Sequence, residues 1–252
     1  MAPAVGRFRR IFGRKQDKAE RASNAARELQ AGQIAKVSAS VDRLRQVQLS
    51  APDTGTAASI DPFLAEVLVK QSRMLLGFDR LADALPCAVE SVEIYRRLAA
   101  SGQAGAEASL ADALHLVSAI QAKLGRYEEA LLSADGSIEI FRQLTAAGPI
   151  SSKPGALAGI LVLRGQILAD LGRFEDALTA NDEGLDAWRE LAEADPSAHG
   201  DLAATLGMRH SILVALGRLD AAQAADEEVK AILLMLRRRA EAAVKETLDS
   251  LT

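Results

Sequence analysis

Cysteine occurs once, at Cys87, so no internal disulfide can form and the chain suits a reducing compartment. As a lone thiol, Cys87 is either reactive or a small residue filling a seam between helices, and the second is the commoner use. Aromatic residues make up 4% of the chain, while 49% is hydrophobic, mostly alanine and leucine. Such a mixture suits small-against-large helix packing. It disfavours sheets, which draw on β-branched and aromatic side chains, and it is too apolar for a disordered chain. No apolar run approaches the roughly 20 residues that span a bilayer. The N-terminal MAPAVGRFRRIFGRK has no apolar stretch after its charges, so a secretory signal is not expected and the cytoplasm is the default location.

Chemistry is also thinly supplied. His115, His199 and His210 have no spacing that sets two on one helical face, and one cysteine cannot complete a zinc set. No phosphate-binding GxxxxGK[ST] loop or G-x-S-x-G elbow occurs. No catalytic residue, cofactor site or metal site is therefore assigned.

A repeat dominates what is present. LGRYEEAL from Leu124, LGRFEDAL from Leu171 and LGRLDAAQ from Leu216 align without gaps, and FDRLADAL from Phe78 is a degenerate fourth copy. The spacings are 46, 47 and 45 residues. Leu64, Leu110, Leu157 and Leu202 lie upstream at one common offset; Leu98, Leu144, Leu191 and Leu236 lie downstream at another. Between them fall Tyr95, Phe141, Trp188 and Leu233. Within a unit the apolar residues recur at helical spacing, as in Leu110, Leu114, Val117 and Leu124. Gly125, Gly172 and Gly217 stand where a first helix must stop, and acidic residues open a second helix. Ala84, Ala130, Ala177 and Ala222 recur early in that second helix, where a methyl lets two helices approach closely.

The body is thus all-α: four helix-turn-helix units of about 46 residues whose apolar stripes are buried by stacking. The expected organisation is a basic arm over 1–19, an amphipathic helix over 20–49 and a linker over 50–61, SAPDTGTAAS being loop-like in composition. A repeat array follows over 62–252, with units at about 62–105, 106–151, 154–197 and 198–252. Asp61–Pro62 reads as an N-cap and first helical residue opening the first unit.

The block G-x-[YF]-x-x-A between two helices resembles the tetratricopeptide repeat. With the long second helix of LGRYEEAL…IEIFRQL, it is similar to the extended repeats of high-GC bacterial proteins and of kinesin light chains. The resemblance covers roughly residues 62–245 and is weakest in the first unit, where Asp79 replaces the turn glycine. It implies a right-handed superhelical solenoid whose first helices line a concave groove, used as an adaptor for peptides or partner helices. Numbering each unit so that Asp79, Gly125, Gly172 or Gly217 is position 15, the family's groove positions are 2, 5, 9, 12 and 13. Among the residues they select are Glu66, Val69 and Arg73, then Asp112, His115 and Lys123, then Val162, Gln166 and Asp170, and finally Ser211. The lysine and asparagine pairs with which chaperone-binding members clamp a carboxylate are absent, as are the paired asparagines of the kinesin-light-chain type.

Charge is uneven. Residues 1–28 carry eight basic against three acidic side chains, a net of +5 within a chain of net −4, so the remainder is −9. Phe8 and Phe12, amid Arg7, Arg9, Arg10, Arg14 and Lys15, form the pattern of a membrane-surface or acidic-partner anchor, although Gly6 and Gly13 weaken a helix there. In the helix at 20–49, Leu29, Ile34, Val37, Val41, Leu44 and Val47 make a stripe that needs cover. It can cap the first repeat, fill the groove, or pair with a second copy. The function expected is a protein-protein interaction scaffold. The alternatives are an adaptor recruited to membranes by the arm and a nucleic-acid-associated regulator. The acidic body speaks against the latter.

Overall fold

The computed structural model describes residues 28–50, 54–147 and 155–249, with the side chains of 54–58, 147 and 248 left aside. All regular structure among these residues is helical: α1 (28–49), α2 (Thr54–Gly77), α3 (Leu81–Ala100), α4 (Ala106–Lys123), α5 (Tyr127–Ala147), α6 (Ala156–Asp170), α7 (Phe174–Ala194), α8 (His199–Ala215) and α9 (Leu219–Asp249). One 3-10 turn, Pro196–Ala198, precedes α8. Asp195 caps it by accepting from the Ser197 N–H at 2.8 Å and the Ser197 hydroxyl at 2.8 Å, and these bonds hold its carboxyl below the usual carboxylate range. The chain divides into two compact units, Met1–Ile94 and Tyr95–Thr252.

The helix pairs are made by one turn used four times. Gly125, Gly172 and Gly217 adopt φ of 74°, 75° and 72°, and Asp79 adopts 58° at the same position. In each turn the next residue's N–H reaches back to a carbonyl of the first helix. Arg80 bonds Leu75, Arg126 bonds Gln121, Arg173 bonds Leu168 and Arg218 bonds Leu213, at 2.8–2.9 Å. The left-handed residue thus ties off carbonyls that the helix end would leave unpaired.

Within a repeat the two helices touch at position 20. Ala84, Ala130 and Ala177 are fully buried and Ala222 nearly so. The carbonyl of that alanine accepts a hydrogen bond from position 8 of the first helix in three repeats: from Ser72 Oγ at 2.9 Å, Ser118 Oγ at 2.8 Å and His210 Nδ1 at 2.9 Å. This last contact fixes the proton on Nδ1 of His210. In the second repeat Ser137 Oγ, at position 27, donates to the carbonyl of Ala111, at position 1. Position numbers rise on one helix as they fall on the other, so the two run antiparallel.

Core clusters bridge consecutive repeats. Ile138 and Phe141 of α5 share one with Ile160 and Leu161 of α6; Leu185 and Ala192 of α7 share another with Leu202 and Leu206 of α8. At the end of the array, position 28 changes character. Val92, Ile138 and Leu185 are buried there, whereas the fourth repeat has the exposed Lys230, paired with Asp226 at 2.6 Å. Position 28 of the fourth repeat thus presents a charged surface where the three earlier repeats bury an aliphatic side chain.

Two expectations change. α2 begins at Thr54, so Asp61–Pro62 is not the start of a helix and residues 54–61 are not a linker. Pro62 is the ninth residue of α2 and forgoes one helical hydrogen bond. Asp61 is buried and accepts from Gln48 Nε2 of α1 at 2.6 Å, a partner that no local pattern announces. The stripe of α1 is also only partly covered. Val41 is buried, Ile34, Val37 and Leu44 are half-buried, and Leu29 and Val47 are exposed. Residues 1–27, including the basic arm and the start of the expected helix at 20–49, lie outside the described residues.

The third repeat breaks the seam pattern. Position 8 is Gly165, which has no donor, and position 24 is Asn181 where the first two repeats have Ala88 and Ala134. Asn181 is fully buried, and neither its amide nitrogen nor its oxygen has a partner. A Cβ on Gly165 would lie 3.1 Å from the Ala177 carbonyl oxygen and 3.3 Å from the Asn181 backbone nitrogen, so glycine here lets the two backbones approach closely. An unsatisfied buried amide typically costs about 1–3 kcal/mol. Asn181→Ala, which removes the unsatisfied amide and leaves Gly165 in place, is expected to stabilise the protein by about 1–2 kcal/mol. Urea denaturation of the two chains measures the difference. Gly172→Ala provides a backbone-only contrast, since nothing lies within 4 Å of the added methyl. Its left-handed φ should still cost about 1–2 kcal/mol, seen as a lower Tm.

Candidate functional site

In the second unit the structure brings three of the expected groove residues around one depression. Gln166 and Asp170 on α6 and Ser211 on α8 line a cavity of about 510 Å³, together with Ala169, Ala204, Gly207, Phe174, Met208 and Ile212. The floor and walls are apolar or small, and Gln166, Asp170 and Ser211 are exposed. The Ser211 hydroxyl is turned back on its own helix, donating to the Gly207 carbonyl at 3.1 Å, which leaves its lone pairs available. Gly207 has open space where a side chain would begin, so the absence of a Cβ there keeps the depression open.

The remaining expected residues are placed as follows. Asp112 and His115 are half-buried on α4; a Cβ on Gly159 of α6 would sit 3.6 Å from His115 Cε1, so the imidazole lies beside a glycine of the next first helix. Lys123 is exposed at the last turn of α4, where a cation complements the helix dipole. Val162 is half-buried, and its Cγ2 would come within 2.8 Å of a Cβ on Gly184 of α7, so part of this side chain serves the seam rather than the groove. In the first unit, Glu66 and Arg73 are exposed and Val69 half-buried on α2, with Glu66 accepting from Lys70 Nζ at 2.6 Å. The arm residues Arg7, Phe8, Arg9, Arg10, Phe12, Arg14 and Lys15 lie outside the described residues.

Phe174 and Met208 were not among the expected lining residues. Phe174 occupies position 17, which is Leu81, Tyr127 and Leu219 in the other repeats and reads as packing. Its ring packs against the cluster of Leu168, Ala177 and Ile212 and also forms part of the cavity wall.

No set of three His, Cys, Asp or Glu able to hold a metal ion occurs among the described residues. Nor is any described helix long and apolar enough to cross a membrane. His199 Nδ1 bonds the Pro196 carbonyl at 2.9 Å, so this histidine, like His210, serves local structure.

Comparison with solved structures decides the architecture. BtubC from P. vanneervenii superimposes with a TM-score of 0.59 at 16% identity, over 82% of this chain and 92% of that one. A putative kinesin light chain from Podosopora anserina, with nearly identical TPR-like repeats, gives 0.54 at 16%, over 85% and 94%. A Rap protein crystallised with Competence and Sporulation Factor gives 0.54 at 14%, over 70% of this chain and 48% of that one. The fold is a tetratricopeptide-type helical repeat. No family profile and no curated protein matches the chain by sequence. At these identities the likeness establishes the tetratricopeptide-type fold and leaves function to be argued from the surface.

Cys87 lies on α3 of the first unit, half-buried, with its Sγ 3.6 Å from the Asp83 carbonyl. Burial, and then the neighbouring Glu90 carboxylate, push its thiol above the ordinary range. The thiolate is the reactive form, so at pH 7–8 this thiol should alkylate with iodoacetamide several-fold more slowly than a short unfolded peptide containing it. Urea should abolish the difference. Equal rates in the folded chain and the peptide would show that the fold neither shields Cys87 nor suppresses its thiolate.

Proposed function

We propose that this protein is a non-catalytic interaction module that receives a peptide or a partner helix along the first helices of its second unit. The observation that carries this reading is the 510 Å³ cavity between α6 and α8, large enough for one or two bulky side chains and lined by residues at groove positions of a tetratricopeptide-type array. Its apolar walls favour an aliphatic or aromatic anchor. The carboxylate of Asp170 at the rim favours a lysine or arginine one helical turn or one strand step from that anchor. The small residues Ala204 and Gly207 of α8 allow close approach of a backbone.

Within the second unit the reading extends to Asp112, His115 and Lys123 on α4 and Val162 on α6, as residues that tune the partner rather than anchor it; Glu66, Val69 and Arg73 are the corresponding residues of the first unit, taken by itself. A partner bearing acidic groups would meet the basic segment that precedes α1, and this is the basis on which recruitment to an anionic membrane surface stays as the second reading. Nucleic acid fits less well, since the chain beyond residue 28 carries a net charge of −9.

Gly207→Phe tests the leading reading. The new ring has open space to grow into, so the fold is expected to survive while the cavity fills. Peptides selected from a random library on the wild-type chain should lose at least tenfold in affinity, about 1.4 kcal/mol, on the variant. Unchanged binding of every selected peptide, with an unaltered melting curve, would move the binding surface elsewhere.

A further inference from the structure

We infer that α1 is the second helix of an incomplete additional repeat, docked on the first complete repeat in the same register that joins the later ones. Two polar contacts define that register. In the first, position 32 of one second helix pairs with position 26 of the next: Arg142 with Glu183, and Arg189 with Glu228 at 3.0 Å. In the second, position 25 of a second helix pairs with position 7 of the next first helix: Asp135 with Arg164 and Asp182 with Arg209, each at 2.7 Å.

The first unit contains both contacts, with α1 as the earlier helix. Arg45 pairs with Glu90, which is position 26 of the first repeat. Ser38 accepts from Gln71 Nε2 at 2.8 Å, and Gln71 is position 7. Counting Arg45 as position 32 makes Ser38 position 25, so the two contacts agree on one register without adjustment. That register sets Val41 at position 28, and Val41 is 3% exposed, as Ile138 is 4% and Leu185 is 2% at the same position.

The sequence then falls into line. SVDRLRQV from Ser40 matches SVEIYRRL from Ser91 and SIEIFRQL from Ser137, all beginning at position 27. The match stops short of a full unit. Position 0, leucine in all four complete repeats, corresponds to Gly13, and position 20, always alanine, corresponds to Gln33. Position 34 reports the consequence: Leu98 of the first repeat is 6% exposed, whereas Val47 of α1 is 54% exposed. α1 is therefore gripped on the side facing the next repeat and not on the side that a first helix of its own would cover.

Hydrogen exchange on the full chain tests the register. Val41→Asp is expected to accelerate exchange across 28–49 at least tenfold, and Val47→Asp less than twofold. Arg45→Glu should accelerate it measurably, and the exchanged pair Arg45→Glu with Glu90→Arg should return it to the wild-type rate. Should Val41→Asp unfold more than α1, the charge-exchanged pair still decides, because it removes no apolar contact. Equal effects of Val41→Asp and Val47→Asp, or no recovery in the exchanged pair, would overturn the assignment.

Discussion

A buried alanine of one helix, packed against the opposite helix of its own repeat, governs much of what surrounds it. With only a methyl at position 20, the second helix comes near enough for its carbonyl to accept a hydrogen bond from a side chain of the first. That bond satisfies a polar atom the close packing has desolvated. Once the seam is this narrow, the turn has to be short and left-handed, which explains why Gly125, Gly172 and Gly217 share one φ and why Asp79 is drawn into it. The third repeat shows the constraint under variation: removing the donor at Gly165 and adding an amide at Asn181 keeps the volume but not the hydrogen bond.

Close approach explains the candidate surface as well. Several groove positions of the first helices hold small residues, and a glycine beside larger neighbours opens a depression. Gly207, between Phe174 and Ser211, is such a place. The seam and the cavity therefore compete for the same residues. Val162 shows the competition: its position belongs to the groove, but Gly184 across the seam draws its methyl inward.

Periodicity carried the repeats, their turns and the buried alanines into view from the residues alone, because each is a local pattern reiterated. Gln166, Asp170 and Ser211 were legible for the same reason, since a repeat position fixes which way a side chain faces. The start of α2 was not legible. SAPDTGTAAS has loop composition and Asp61–Pro62 has cap chemistry, yet Gln48 of α1 satisfies Asp61, and the helix continues past it toward the N-terminus. The contribution of Phe174 to the cavity was hidden because position 17, held by Leu81, Tyr127 and Leu219 in the other repeats, is not one of the groove positions.

The polar pairs between repeats deserve a different reading from the apolar clusters beside them. Arg189 with Glu228 and Arg142 with Glu183 are substantially exposed, and such pairs contribute about 0–1 kcal/mol each after solvent screening. Burial of Ile138, Phe141 and Leu185 is worth several times more. Apolar contact, however, is tolerant of a slip by one turn, since leucine meets leucine in either alignment. An arginine facing a glutamate is not, because a displaced neighbour offers no matching charge. The pairs thus act on alignment more than on stability. The positions that would carry them from the first repeat to the second hold Val89 with Val117 and Arg96 with Gly136, and neither combination can form an ion pair.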